Sequence, residues 1–341
     1  MPLNTSFQGT TDSVTRFEIV RSLWPRQPTL ALQYDDLDWN AYFDYYKQEC
    51  DDALHDQGRH VSLRTHEEIA WLAGHLQEHR TGVDLNPVLR SKLTQQRTQD
   101  EEDDMIEGSL HLTARLLVMM DIGTLRQGFS GRKSLLWQTD KSLRQCVHDY
   151  FGSPSLSGYD NLKLETGFTA RNLERIAGIE IQWTNNLADH LRLVEDDSKV
   201  RVFHHASFLK WQQSLSEETL NTFALLFPQS DVTTAKWYRS VQEASSKSIT
   251  LDGQLVKCGD LKQADRDFER FHFWRERLVC LKQVFDQSRP KTLSQWWFDR
   301  RDGVQWYTFW AAILVIFLTI LFGAVQSVEG AMQVYKAYHP T

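Results

Sequence analysis

Between residues 303 and 328 the chain carries no charged side chain, and its middle, Trp306 to Val325, reads WYTFWAAILVIFLTILFGAV. Twenty helical residues at about 1.5 Å each give about 30 Å, the depth of a bilayer's hydrocarbon layer. The flanks agree with a membrane span. Trp296, Trp297, Trp306 and Trp310 mark one interface and Tyr335 and Tyr338 the other. Arg289, Lys291, Arg300 and Arg301 precede the run and only Lys336 follows it, so the positive-inside rule keeps the large N-terminal part in the cytosol. The absence of ionisable residues inside the span, and of a second apolar run after it, argues against a channel or carrier built from one copy.

Elsewhere the pattern is that of a packed helical domain. Leu37, Tyr42, Tyr45 and Tyr46 within 37–57, then Ile69, Leu72 and Leu76 within 65–80, recur at helical spacing. The acidic, Gln-rich stretch TQQRTQDEEDD leads into IEGSLHLTARLLVMMDIG, expected as a buried helix ending near Gly123. In the centre, Thr169 caps a helix over ARNLERIA that stops at Gly178; IEIQW and KVRVF alternate like strands, with TNNLADHL a short helix between them. ASFLKWQQSL returns to helix, and Ser216-Glu217-Glu218 opens another that ends at Pro228. A loop is expected over 244–260, then a long helix from about Lys262 to Ser288 with Ala264, Phe268, Phe271, Leu278, Leu281 and Phe285 on one face. The predicted class is mainly α with a small α+β unit over 160–215, a soluble domain plus one C-terminal transmembrane helix. The expected divisions are an N-terminal helical region over 1–100, a main domain over 101–290, the transmembrane helix over 303–328 and a tail over 329–341.

Composition narrows the function little. In 341 residues, 41% are hydrophobic and 24% charged, and 12 Trp with 18 Phe imply a sizeable core. A net charge of −7 disfavours nucleic-acid binding by the chain as a whole, leaving any such contact to a local patch such as Arg126, Arg132, Lys133, Lys141 and Arg144 around Trp137. Cys50, Cys146, Cys258 and Cys280 form no C-x-x-C, and the start MPLNTSFQGTTDS lacks the features of a signal peptide, so free thiols in a reducing compartment are expected. No P-loop, G-x-G-x-x-G or G-x-S-x-G occurs.

Three clusters carry possible chemistry. Asp103, Asp104 and Glu107 form a D-D-x-x-E whose carboxylates fall on one helix face, suited to Mg²⁺ or to a guanidinium; the same run is what the dipole favours at a helix start. His75-Leu76-Gln77-Glu78-His79 matches H-x-x-E-H, a zinc-protease pattern that also arises on a solvated helix. His204-His205, with Asp189 and His190, suggests acid–base work, but adjacent strand residues point to opposite faces, which favours a hydrogen-bonded structural role.

SLHLTARLLVMMDIG, GFTARNLERIAGIEIQWTNNLADHLRL, VRVFHHASFL, ETLNTFALLFPQ and the WWFDRRDGVQW approach to the membrane together resemble a large family of fungal proteins with one C-terminal membrane helix. More narrowly, the D-D-x-x-E resembles that of the fungal arginine-containing cyclodipeptide synthases. That resemblance implies a diketopiperazine made from arginyl-tRNA and a second aminoacyl-tRNA in secondary metabolism. It further implies Asp103, Asp104 and Glu107 as the catalytic residues and no cofactor or metal, because the activated esters drive the reaction. The alternatives are a non-catalytic membrane-tethered interaction protein and a class I terpene cyclase, the latter without a second metal motif downstream. Removing residues 303–341 is expected to shift the chain from the membrane pellet to the soluble fraction. A folded truncated chain still recovered with membranes would contradict the single-anchor reading.

Overall fold

The computed structural model describes every residue except 1, 8, 10, 26–31, 94–96, 124–133, 153–162, 213–215, 247, 302 and 339–341. The first half is helical: α1 (Ser13–Leu23), α2 (Asn40–Ala53), α3 (His55–Gly58), α4 (His66–Gln77), α5 (Gly82–Ser91), α6 (Gln99–Val118) and α7 (Leu143–Phe151). The short α8 (Ala170–Asn172) runs into a π-helical segment, Leu173–Ala177, followed by β1 (Glu180–Thr184), β2 (Arg192–Val194), β3 (Lys199–Phe203) and α9 (Ala206–Trp211). Then come α10 (Ser216–Leu226), α11 (Val232–Ser245), α12 (Arg275–Gln287), α13 (Leu293–Phe298) and α14 (Gly303–Tyr338). The fold is mainly α with one small sheet, as the hydrophobic pattern predicts, and α14 is long and apolar enough to cross a membrane.

Local chemistry starts many of these helices. Thr65, Thr81, Thr98, Ser142 and Thr292 each accept from a backbone N–H three residues on, and Glu68, Asp84, Glu101, Gln145 and Gln295 return the bond. The box at Thr98 corrects one expectation: the acidic run does not precede the helix but forms its first turns. The other end also differs, because Met119 turns left-handed (φ 50°) and stops α6 before the apolar letters run out.

The sheet has the order β1-β3-β2, with β1 parallel and β2 antiparallel to β3. β2 is too short to leave an alternation in the sequence. The expected long helix from Lys262 does not form. Leu164 donates its N–H to Arg266 O (2.8 Å) and Lys163 bridges Asp267, so this backbone is spent on another segment and α12 begins only at Arg275. Phe268, Phe271, Leu278, Leu281 and Phe285 are buried as expected, whereas Ala264 is exposed. α11 and α13 are not anticipated by the sequence pattern.

One buried cluster runs from Phe7 to Phe285, so the N-terminal helices and residues 101–290 share a single core. α6 is its axis, packing on α2, α4 and α5. Gly108 gives α6 room: a Cβ there would stand 2.0 Å from His60 O. A second tie links distant segments through Asp252, which is fully buried and accepts from Ser207 N, Ser207 Oγ (2.9 Å) and Gln254 N (2.9 Å). Burial outweighs these bonds and, with help from Asp38, pushes its carboxyl up to about 7.

A folded-state value above the unfolded one means that the protonated form favours folding. The contribution of Asp252 to stability is therefore full below about pH 4 and is lost as pH rises through about 7. Asp252→Asn is expected to flatten that part of the stability profile of the detergent-solubilised chain, measured by denaturant midpoint against pH. An unchanged slope would refute the assignment.

Candidate functional site

The carboxylates of interest lie on the first half of α6, opposite its core-facing Met105 and Ile106. Glu101 is spent on the capping box with Thr98. Glu102 and Asp103 share the guanidinium of Arg90 on α5, Glu102 at 2.9 Å and Asp103 in a second ion pair on the other nitrogen. The fork of a guanidinium suits such a two-carboxylate seat. Asp104, exposed, has no hydrogen-bond or ion-pair partner among the described residues. Glu107 is exposed, 3.7 Å from His111 Nε2. Burial, aided by Arg115, holds His111 down to about 4, so near neutral pH this is no ion pair. Two carboxylates, Asp104 and Glu107, thus remain without a cation on the face where Asp103 already holds one.

The dipole explanation covers only part of the run. Favourable contact with the dipole falls off within the first turn. It accounts for Asp100, Glu101 and Glu102; it gives nothing at Asp104 or Glu107, six and nine residues beyond the cap. Among the described residues, no group of three or more His, Cys, Asp or Glu is arranged to hold a metal ion.

Between α4, α5 and α6, reached on α6 by Met105 rather than by the carboxylates, is a cleft of about 220 Å³ whose walls include Arg64, Glu68, Trp71, Lys92, Arg97 and Met105. It shares α5 and α6 with the carboxylates. Lys92 lies over the Trp71 ring at 3.3 Å, and Arg64 donates to the carbonyls of Val61 (2.6 Å), Leu63 (2.7 Å) and Gly58 (2.9 Å). Burial, together with the nearby charge of Arg97, holds the Arg64 guanidinium below its usual value despite Glu68. Glu68 Oε2 is itself committed to the N–H groups of Arg64 (2.6 Å) and Thr65 (3.1 Å). The cleft is therefore cationic, and its volume suits a phosphoryl-sized anion better than a large organic ligand. Neither Arg90 nor this cleft was found from the sequence. Their partners come from separate helices, and no spacing rule links residue 64 or 71 with residue 92 or 97.

The other clusters resolve differently. α4 ends at Gln77 and His79 has a positive φ of 63°, so His75 and His79 do not share a helix face; His75 Nδ1 is 3.3 Å from Glu78 Oε2 instead. His204 and His205, expected on opposite faces, come together, because β3 ends at Phe203 and strand alternation no longer applies. Their rings stack at 4.1 Å, and both Nε2 atoms bond Asn185 Oδ1, at 3.1 and 2.8 Å. Burial holds His204 down to about 3 and His205 well below its usual value, so both are neutral and ill-suited to acid–base work near pH 7. Asp189 holds Arg192 and Arg201, while His190 bonds Thr222 Oγ1 (2.7 Å) and accepts from Phe203 N (3.2 Å). These contacts are structural. Of the expected basic patch, Arg126, Arg132 and Lys133 lie outside the described residues; Lys141 pairs with Asp149 (2.8 Å) and Arg144 contacts His79 (3.4 Å).

Comparison with protein-family models, with curated proteins and with solved structures gave no significant match. The site therefore has to be read from its own geometry. If Arg90 neutralises the acidic face, Arg90→Gln is expected to cost about 0.2–1 kcal/mol, the range for ion pairs still open to solvent on one side. The loss should shrink in high salt, which screens the released carboxylate repulsion. Thermal unfolding at low and high salt measures both, and a loss independent of salt would contradict this assignment.

Proposed function

We propose that this chain is a tRNA-dependent, arginine-containing cyclodipeptide synthase of secondary metabolism, a transferase held on a membrane by α14 with its domain in the cytosol. The observation that carries the reading is the seat of Arg90: on this face of α6, paired carboxylates hold a guanidinium. Asp104 and Glu107, next along the same face, offer a second such seat to the arginine side chain of the substrate. Asp103, fixed by Arg90, borders it. The cationic cleft between α4, α5 and α6 offers the acceptor end of a tRNA a contact for a phosphate, which the net charge of the chain as a whole does not. The imbalance of Arg289, Lys291, Arg300 and Arg301 against Lys336 supports the cytosolic orientation, where charged tRNA is found.

The chemistry needs no cofactor. The free amine of one aminoacyl ester attacks the carbonyl of the other, forming a peptide bond and releasing one tRNA hydroxyl. The second amine then attacks the remaining ester, closing the ring and releasing the second tRNA. Each step exchanges an ester for an amide, so the energy stored in tRNA charging suffices. The protein's part is to hold both esters together and to orient the arginine through its guanidinium, so that the amine meets the carbonyl.

The test is mass spectrometry of arginine-containing diketopiperazine made by the full chain supplied with charged tRNA. Asp104→Asn and Glu107→Gln keep size but remove charge. Each is expected to lower product by about tenfold to a hundredfold, the equivalent of one charge-assisted bond of about 1.5–3 kcal/mol, with the circular dichroism spectrum unchanged. Ribonuclease should abolish synthesis. No product from the wild-type chain would favour a non-catalytic, membrane-tethered interaction protein; product surviving both substitutions would remove this site but keep the enzyme.

A further inference from the structure

The approach to α14 is not a simple linker. After Pro290, Thr292 caps α13, and α13 folds back against the start of α14. Trp296 stacks on Phe309 (4.4 Å, 10° between planes), Trp297 meets Trp310 edge-on (5.0 Å), and Trp306 Nε1 donates to Trp297 O (3.4 Å). α13 therefore stands level with residues 306–310, where the apolar run begins and a bilayer interface would lie. Its other contacts are with the domain. It packs on the π-helical segment at 173–177, Arg175 lies over the Phe298 ring (4.8 Å), and Gln295 comes so near Gly178 that a Cβ there would stand 2.9 Å from its Nε2. Gly178 also has φ of 72°, a left-handed conformation that favours glycine.

The remaining surface is apolar and edged with cations. Leu293, Trp297 and Phe298 stay exposed by 67%, 51% and 40% in the isolated chain. Arg289 and Lys291 have no side-chain partner among the described residues, and Arg300 only overlies Trp306 (5.4 Å). Among the described residues the nearby acids are already taken: Asp299 pairs with Arg301 (2.8 Å), and Asp286 with Lys282; Asp302 lies outside the described residues. An apolar strip bordered by unpaired cations, continuous with a membrane helix, fits the surface of an anionic leaflet.

We infer that α13 is an interfacial seat for anionic lipid headgroups. Leu293, Trp297 and Phe298 enter the headgroup boundary, Arg289, Lys291 and Arg300 meet lipid phosphate and carboxylate, and the π-helical end of the domain is thereby held against the membrane. This rests on α14 crossing a bilayer and is independent of any catalytic activity.

Hydrogen–deuterium exchange of the full chain tests it, in nanodiscs of phosphatidylcholine alone and in discs with added phosphatidylserine. Amides over 293–299 are expected to exchange several-fold more slowly in the anionic discs. Arg289→Gln, Lys291→Gln and Arg300→Gln together should erase the difference, each contributing about fivefold to the anionic preference, while α14 stays protected. Equal exchange of 293–299 in both discs, with α14 protected, overturns the lipid seat alone. Rapid exchange throughout α14 overturns the membrane span and the seat with it. A difference that survives the triple substitution overturns the cation assignment.

Discussion

The last carbonyls of α6 end deep in the protein, where water cannot reach them. A helix leaves its final four C=O groups without partners in its own backbone, and a buried one left unpaired costs about 1–3 kcal/mol. Here side chains from three elements supply the donors. Tyr45 OH serves Arg115 O (3.2 Å), Tyr42 OH serves Leu116 O (3.1 Å), and Trp24 Nε1 (3.3 Å) and Gln212 Nε2 (2.8 Å) both serve Leu117 O. These donors sit at the end of α1, along α2 and at the end of α9. Their rings join the cluster of Trp24, Trp39, Tyr42 and Phe208. Glu49, half-buried and paired with Arg115 at 2.6 Å, closes the same end. α6 is thus fixed where it is deepest, and its acidic start projects from a rigid base.

That arrangement explains why the carboxylate face is well ordered without being consumed by structure. At the inner end of α6, the carbonyls of Arg115, Leu116 and Leu117 are all bonded to packed side chains. At the outer end Thr98 and Glu101 satisfy each other, Glu102 and Asp103 share one guanidinium, and the positions beyond have no cation partner among the described residues. A binding surface needs such a contrast between a held backbone and uncommitted side chains.

Much of the architecture was legible because its signals are local. The apolar run of α14, the β1 and β3 alternations, the stop at Gly178 and the helices over α2 and α4 each follow from spacing or from one residue's conformational preference. What was missed depends on distant partners. The helix expected from Lys262 loses its start because residues 163 and 164 claim the backbone of 266 and 267. His204 and His205 share an acceptor because they lie just past the end of the strand at Phe203, where alternation no longer holds. At the site, the D-D-x-x-E was readable, but Arg90 and the cationic cleft were not, since tertiary packing rather than sequence separation brings them to α6.

α14 has 36 residues, and at about 1.5 Å each it is a rod of about 54 Å. A hydrocarbon layer of about 30 Å cannot hide it, and leaning does not resolve the mismatch: at the steep end of observed tilts, about 40°, the rod would still reach about 41 Å across. Its first turns are tied to α13, so in a bilayer the surplus would fall at the other end, where Glu329 and Lys336 return charge to the helix. Set across a bilayer, a helix of this length would bury its apolar middle and carry its charged last turns, with Glu329 and Lys336, beyond the hydrocarbon as a narrow rod.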